Sequence, residues 1–425
     1  MVIHTVQPGE SVQSIAQQYG VSSYRLTVEN GLEFPVRLAV GQALVIQYPK
    51  VVHKVVADDT LWRIASDYGI SVNQLYRNNI ELGGWDRIFP GQELVIEYAD
   101  APQGEMAVNG YAYPFIEPAT LHQALPYLTY LTPFSYSVEP DGELDDIEDE
   151  RLIALAKQWG IVPILHVSNL DEDERFSTDL ASQLLNDPVA VRRLIEEILE
   201  TLVEEGYGGV DVDFESVAAA DRQKYVDFIQ ALADRLNPRG YTVTVALAPK
   251  LSDDQEGLLY EGIDYQGLGQ AANNVLLMTY EWGYTYSEPM AVAPLNSVRQ
   301  VVEYALTRIP AEKIFLGVPN YAYDWALPYV AGQSRARALG NQQAVALAQH
   351  KGAEIMFDPI AQTPYFNYYD EGTQHEVWFE DARSIRAKLA LIPEYGLQGA
   401  SYWNLMRPFA QNWVLLNALY NIRQG

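Results

Sequence analysis

The sequence predicts an α/β protein: a (β/α)8 barrel of the TIM type with a small α+β insertion, preceded by two copies of a small βααβ module. Three observations predict it. Residues 1–98 write one pattern twice at an offset of 49. From residue 106 onward, β-rich apolar runs alternate with helical periodicity eight times, the pattern of a parallel sheet built from βα units. The fourth of those runs ends in three carboxylates at every second position, and barrels of this type carry their reactive groups at that end of the strands.

The duplication is read residue by residue. His4-Thr5-Val6 answers His53-Lys54-Val55, Tyr19-Gly20-Val21-Ser22 answers Tyr68-Gly69-Ile70-Ser71, and Asn30 answers Asn79. After one inserted residue, Gly41-Gln42-Ala43-Leu44-Val45-Ile46 answers Gly91-Gln92-Glu93-Leu94-Val95-Ile96. A period of this length repeated once gives a pair of modules, 1–49 and 50–98, and not a solenoid. In each copy a short strand (3–6, 53–56) leads to a hydroxyl residue, Ser11 or Thr60, placed to cap a helix. That helix stops at Gly20 or Gly69, where a left-handed residue costs little. A second helix near 24–30 or 73–79 and a closing strand complete the unit. Residues 99–105 are small, polar and turn-rich, and read as a linker.

Within 106–425 the expected barrel strands are 108–113, 127–136, 161–167, 209–215, 242–247, 274–280, 314–319 and 399–404. Helical stretches at 151–159, 189–205 and 220–236 repeat Leu, Ile and Val at three- and four-residue steps. Segment 335–393 is too long for a loop and reads as three antiparallel strands with a turn at Gly372. Aromatic and amide groups recur at the strand ends: Tyr111 and Tyr113, Phe134 and Tyr136, Met278 to Trp282, Asn320 to Tyr323, and Tyr402 to Asn404.

The run Gly208-Gly209-Val210-Asp211-Val212-Asp213-Phe214-Glu215 carries the chemistry. Side chains alternate along a strand, so Asp211, Asp213 and Glu215 share one face while Val210, Val212 and Phe214 pack on the other. Like charges so close repel, and at least one carboxyl is expected to hold a proton at neutral pH, as a general acid must. A calcium site or a solvated edge strand is the competing reading. The interleaved bulky, β-branched and aromatic residues speak against a calcium loop.

Composition narrows the partners. A formal charge of −28 argues against nucleic acid. With no cysteine and six histidines in no metal-ligand spacing, neither disulfides nor a metal centre is expected. No apolar run is long enough to span a membrane, and the N-terminus reads directly as a strand without a secretory signal. The 29 Tyr, 8 Trp and 12 Phe offer flat faces suited to sugar rings.

The strand–helix–helix–strand copies ending in Gly-Gln-x-Leu-Val-Ile resemble the LysM module. This implies binding to N-acetylglucosamine polymers, peptidoglycan or chitin, with contacts at Gly9, Ser11, Val12 and Asn30 in one copy and at Asp58, Thr60, Leu61 and Asn79 in the other. The acidic run resembles the D-x-x-D-x-D-x-E motif of glycoside hydrolase family 18, with Gly208 at its first position. Met278-Thr279-Tyr280-Glu281 is similar to the family's Met-x-Tyr-Asp, and Trp403 matches its sugar-floor tryptophan. The resemblance implies a retaining, substrate-assisted hydrolase without cofactor or metal. Glu215 would be the acid and base, Asp213 would orient the acetamido group, Asp211 would support Asp213, and Tyr280 would bond the acetamido carbonyl. Trp403, Met278, Glu281, Trp282, Tyr113, Asn320 and Tyr321 would line the sugar site. Two LysM copies before such a barrel resemble the spore cortex-lytic N-acetylglucosaminidases of endospore formers. This implies a coat or cortex location reached from the mother-cell cytosol. A chitinase of the same family and a non-enzymatic glycan-binding coat protein are the alternatives.

Overall fold

The computed structural model describes residues 1–425. In the first module β1 (Val2–Thr5) pairs antiparallel with β2 (Ala43–Ile46), and in the second β3 (Pro49–Lys54) pairs with β4 (Glu93–Tyr98). Helices Val12–Tyr19 and Ser23–Glu29 fill the first unit, and Leu61–Tyr68 and Val72–Asn78 the second. The Ser11 and Thr60 hydroxyls accept from the backbone N–H groups of Ser14 and Arg63, satisfying donors that a helix start leaves free. Gly20 and Gly69 end those helices at φ 67° and 69°. Each module has its own small core, built on Val12, Ile15, Leu26 and Leu44 or on Leu61, Ile64, Leu75 and Leu94.

The barrel strands follow as β5 (Gly104–Ala112), β6 (Tyr130–Pro133), its short continuation β7 (Tyr136–Ser137), β8 (Val162–Ser168), β9 (Gly209–Asp213), β10 (Thr242–Leu247), β11 (Asn274–Leu277) and β12 (Ile314–Pro319). An antiparallel insertion sheet comes next: β13 (Ala322–Ala326), β14 (Arg337–Leu339), β15 (Met356–Asp358), β16 (Thr363–Asp370) and β17 (Thr373–Trp378). Then β18 (Gly399–Trp403) lies parallel between β12 and β5 and closes the cylinder. A last strand, β19 (Tyr420–Ile422), extends the start of β5. The main apolar core lies between the strands and the surrounding helices.

Two expectations are corrected. The second strand is not continuous over 127–136, because Leu125–Tyr127 is a 3-10 turn and Pro133, which has no N–H for a ladder, ends β6. The insertion begins at Ala322, not 335, and its sheet has five strands, three of them the expected ones; helix Ala382–Tyr395 then returns the chain to the barrel ring. The two extra strands are β13, which directly follows the strand-end cluster Asn320 to Tyr323, and the three-residue β14.

Residues 99–105 do not form a free linker. Gly104 already opens β5, Gln103 N–H donates to Leu419 O, and Ala99 N–H donates to Tyr48 O. Val45 and Ile80, from the two modules, belong to the barrel's own apolar core. Gln411 bonds Asn30 and Ala43 O, Arg77 bonds Pro126 O, and Trp85 stacks on His122 with ring centroids 4.0 Å apart. Between the modules the buried Arg25 guanidinium bonds Glu29, Glu81, Tyr98 and Asn78 O. Modules and barrel therefore form one packed body.

Candidate active site

The alternation along β9 divides its side chains as expected. Val210 and Val212 join the outer core, and Phe214 stacks against Tyr225 and Phe228 at 5.6 and 5.8 Å. Asp211 and Asp213 point into the barrel and are buried. Glu215 lies just past the strand end and is partly open to solvent. Its backbone is clamped by Asn169, which accepts from Glu215 N–H and donates to Glu215 O, both at 2.9 Å. The next residue, Ser216, sits at φ 57°, a left-handed conformation unusual for a side-chain-bearing residue and typical of backbone held for function.

Tyr111 on β5 donates its hydroxyl to Asp211 Oδ2. His166 on β8 places Nε2 3.5 Å from Asp213 Oδ2 and 4.0 Å from Asp211 Oδ2. The second oxygen of each aspartate has no partner. Beneath Asp211 is a cavity of about 20 Å³ lined by Asn109, Thr132, Thr244, Asn274 and Ser401, enough for one water with polar partners. Burial pushes the Asp211 carboxyl up to about 6, with His166 and Tyr111 pulling the other way. Burial, then the charges of Asp213 and Glu281, holds the Glu215 carboxyl well above the usual carboxylate range. Burial and the neighbouring acidic groups, Asp213 first, keep the Tyr280 hydroxyl protonated. The cluster thus places a carboxyl whose surroundings favour its protonated form and a Tyr280 hydroxyl beside Asp213, the array needed to break a C–O bond by proton donation.

Asp211 makes the fold pH-sensitive. Its folded pKa lies above the unfolded value, so the folded state binds the extra proton between roughly pH 4 and pH 6 and stability falls as pH rises through that window. The shift is worth roughly 3 kcal/mol above it. Asp211→Asn is therefore expected to raise the thermal midpoint relative to the parent at pH 7 and not at pH 4. Differential scanning calorimetry at the two values checks this, and an equal change at both contradicts it.

The glycosyl hydrolases family 18 model matches residues 171–407, and the LysM domain model matches 4–47 and 53–97. The chain belongs to glycosyl hydrolases family 18. It is a glycosidase with two LysM domains ahead of its barrel. It is 39% identical to the cortical fragment-lytic enzyme of Bacillus subtilis, over 99% of each chain. The crystal structure of the Bacillus cereus spore cortex-lytic enzyme SleL matches with a TM-score of 0.84 at 37% identity, covering 100% of this chain and 98% of that one. A chitinase structure from Chromobacterium violaceum matches with a TM-score of 0.68 at 27% identity, over 74% of this chain and 98% of that one.

In this family 18 chain, Gly208 in place of the first motif acid has a packing reason. A Cβ there would run into the Val162 side chain. Around Glu215 the barrel mouth gathers most of the residues expected from sequence. Trp403 packs edge-on against Phe134 and Tyr111 and lies 6.3 Å from Tyr113. Met278 packs on the same cluster, and Tyr280 packs with Trp403 and Tyr321 on the neighbouring one. Glu281, itself at φ 67°, accepts from Tyr321 at 2.5 Å and Tyr323 at 3.2 Å. Desolvation raises its carboxyl and the two hydroxyls oppose that.

Other expected contacts have different work. Asn320 is buried and donates to Asn404 O and Arg407 O, so it braces the loop after β18 and offers no free donor to a sugar. Trp282 is half-buried against the main barrel core. In the modules, Asn30 bonds Leu26 O, Val45 O and Val45 N–H, and Asn79 repeats this with Leu75 and Val95. Both asparagines are thus internal ties between a helix end and the closing strand, and not glycan contacts. Val12 and Leu61 are core residues, each 4% exposed. Gly9, Ser11, Asp58 and Thr60 stay at the surface, where Trp62, 72% exposed, follows the second cap. Sequence reasoning named Tyr111 only as a strand-end aromatic and missed His166, Ser135 and Asn169. Nothing local to those positions marks them.

Proposed function

We propose that the chain hydrolyses spore cortex peptidoglycan after N-acetylglucosamine, with retention of configuration, while the LysM modules hold the glycan. The observation that carries this is Glu215 held well above the usual carboxylate range next to Asp213, at the open end of the barrel. Glu215 gives its proton to the glycosidic oxygen as the C1–O bond breaks, and the substrate's acetamido oxygen closes on C1 from the other face. Asp213 accepts the acetamido N–H and offsets the positive charge of the oxazolinium ion. Asp211 stands behind Asp213 on the same face of β9 and supports it from within the barrel. Tyr280 donates to the acetamido group, and Trp403 stacks beneath the ring. Water, deprotonated by the now ionised Glu215, opens the oxazolinium and restores the acid.

The cortical fragment-lytic relative and the spore cortex-lytic structure support the choice of substrate. The chitinase likeness favours chitin as the second reading. Mass spectrometry of cortex fragments and of chitin oligomers after digestion separates them. Fragments ending in reducing N-acetylglucosamine are expected from cortex, at a rate above that on chitin. New reducing ends on muramic acid, or turnover of chitin alone, overturn the proposal.

A further inference from the structure

The two modules enclose a cleft of about 390 Å³, lined by Ser22, Tyr24 and Arg25 of the first and by Glu81, Gln92 and Glu93 of the second. No barrel residue lines it, and none of the glycan contacts expected from the sequence does. Its chemistry follows from the ionic tie between the modules. Arg25, in the first turn of helix Ser23–Glu29, spends all five of its N–H groups. Nε goes to Glu29 Oε1, one amino group to Asn79 Oδ1 and Glu81 Oε1, and the other to Asn78 O and the Tyr98 hydroxyl. Nothing is left for Glu81 Oε2, which has no partner although the side chain is only 9% exposed. One guanidinium therefore serves two buried carboxyls. Burial raises both Glu29 and Glu81, with Arg25 pulling the other way.

The walls add groups that remain free to bind. Tyr24 is 57% exposed and is the aromatic group of the cleft. Gln92 Oε1 accepts from Phe89 N–H, which leaves the NH2 of that side chain uncommitted. A buried oxygen without a donor, an excess of carboxyls over cations and an aromatic ring together describe a receptor for a cation that donates hydrogen bonds. A metal ion does not suit it, because no three acidic or histidine groups converge. A primary ammonium does, since it brings one charge and three N–H donors.

We propose that the cleft between the modules binds a primary ammonium group of peptidoglycan, carried either by a glucosamine that lacks its acetyl group or by the diamino acid of a stem peptide. Glu81 Oε2 accepts from the ammonium, the Tyr24 ring packs against it, and the Gln92 amide donates to an oxygen of the same fragment. Peptidoglycan as the source rests on the proposed function; the ammonium site itself does not.

Isothermal titration calorimetry of the full chain carrying Glu215→Gln tests this with three probes: glucosamine dimer, its N-acetylated counterpart, and a sugar-free tripeptide ending in diaminopimelate. At least one amine probe is expected to bind about 5-fold or more tighter than the acetylated dimer, as a charge-assisted contact requires. Binding of the glucosamine dimer assigns the amine to the sugar, and binding of the tripeptide assigns it to the stem. Glu81→Gln keeps an acceptor for Arg25 and should weaken that probe about 10-fold, and Tyr24→Ala about 3-fold or more. If Glu81→Gln does not fold, Tyr24→Ala decides alone, since it leaves every Arg25 bond in place; its thermal midpoint confirms the fold. No preference for an amine, or a preference that the folded variants keep, overturns the site. Turnover of cortex fragments by the unsubstituted chain is read separately. Cleavage without amine binding removes only the cleft's role, whereas amine binding without cleavage removes only the hydrolase reading.

Discussion

Glu215→Gln folds normally and lowers kcat on soluble cortex fragments by about 10³-fold or more, toward the upper end of what a positioned general acid contributes. Burial holds the Glu215 carboxyl well above the usual carboxylate range, and an uncharged amide of nearly the same shape disturbs little of the packing around it. The Asn169 clamp acts on the backbone of residue 215 and survives the replacement. What is lost is the transferable proton. The leaving oxygen must then depart as an alkoxide, and in the second half no carboxylate draws a proton from water. KM should change little, because the ring-stacking and acetamido contacts lie on other residues. Stopped assays over several hours, with the thermal midpoint measured on the same preparation, check both halves. Near-parental turnover would falsify the acid's assignment.

The second large effect lies in the substrate. A glycan de-N-acetylated at the sugar before the cleaved bond is turned over at least about 10³-fold more slowly than its acetylated counterpart, because the internal nucleophile, whose effective concentration is very high, has been removed. The comparison uses paired oligosaccharides differing only in that acetyl group, followed by mass spectrometry of products. Cleavage of both at similar rates would mean that a protein carboxylate attacks C1, and the substrate-assisted scheme would fall even with Glu215 as the acid.

Much of this was legible in the chain because it is written locally. The offset between His4 and His53 exposes the module duplication, and the alternation of Val210, Asp211, Val212 and Asp213 states both faces of a strand in four residues. The residues that escaped are those whose meaning depends on partners far away in sequence. His166 meets Asp213 across a strand pair, where β8 and β9 run in register with His166 opposite Asp211. Asn169 reaches 46 positions forward to clamp Glu215. Asn30 and Asn79 misled in the opposite direction. Repeated polar residues next to a predicted loop resemble ligand contacts, but their recurrence reflects the same internal backbone tie made twice. The broken second strand was marked by Pro126 and Pro133, yet the surrounding β-branched and aromatic residues outweighed them in a propensity reading.

The docking of both modules onto the barrel has a bearing on how such an enzyme works along a polymer. With Val45 and Ile80 set in the barrel's own core and Trp85 laid on His122, there is no tether on which the catalytic part could swing. A strand gripped at the N-terminal units meets the cleft at one spacing, so moving to the next bond means letting go and catching hold again. Loose pieces long enough to reach both places benefit most from this, since two weak grips on one rigid body add to each other.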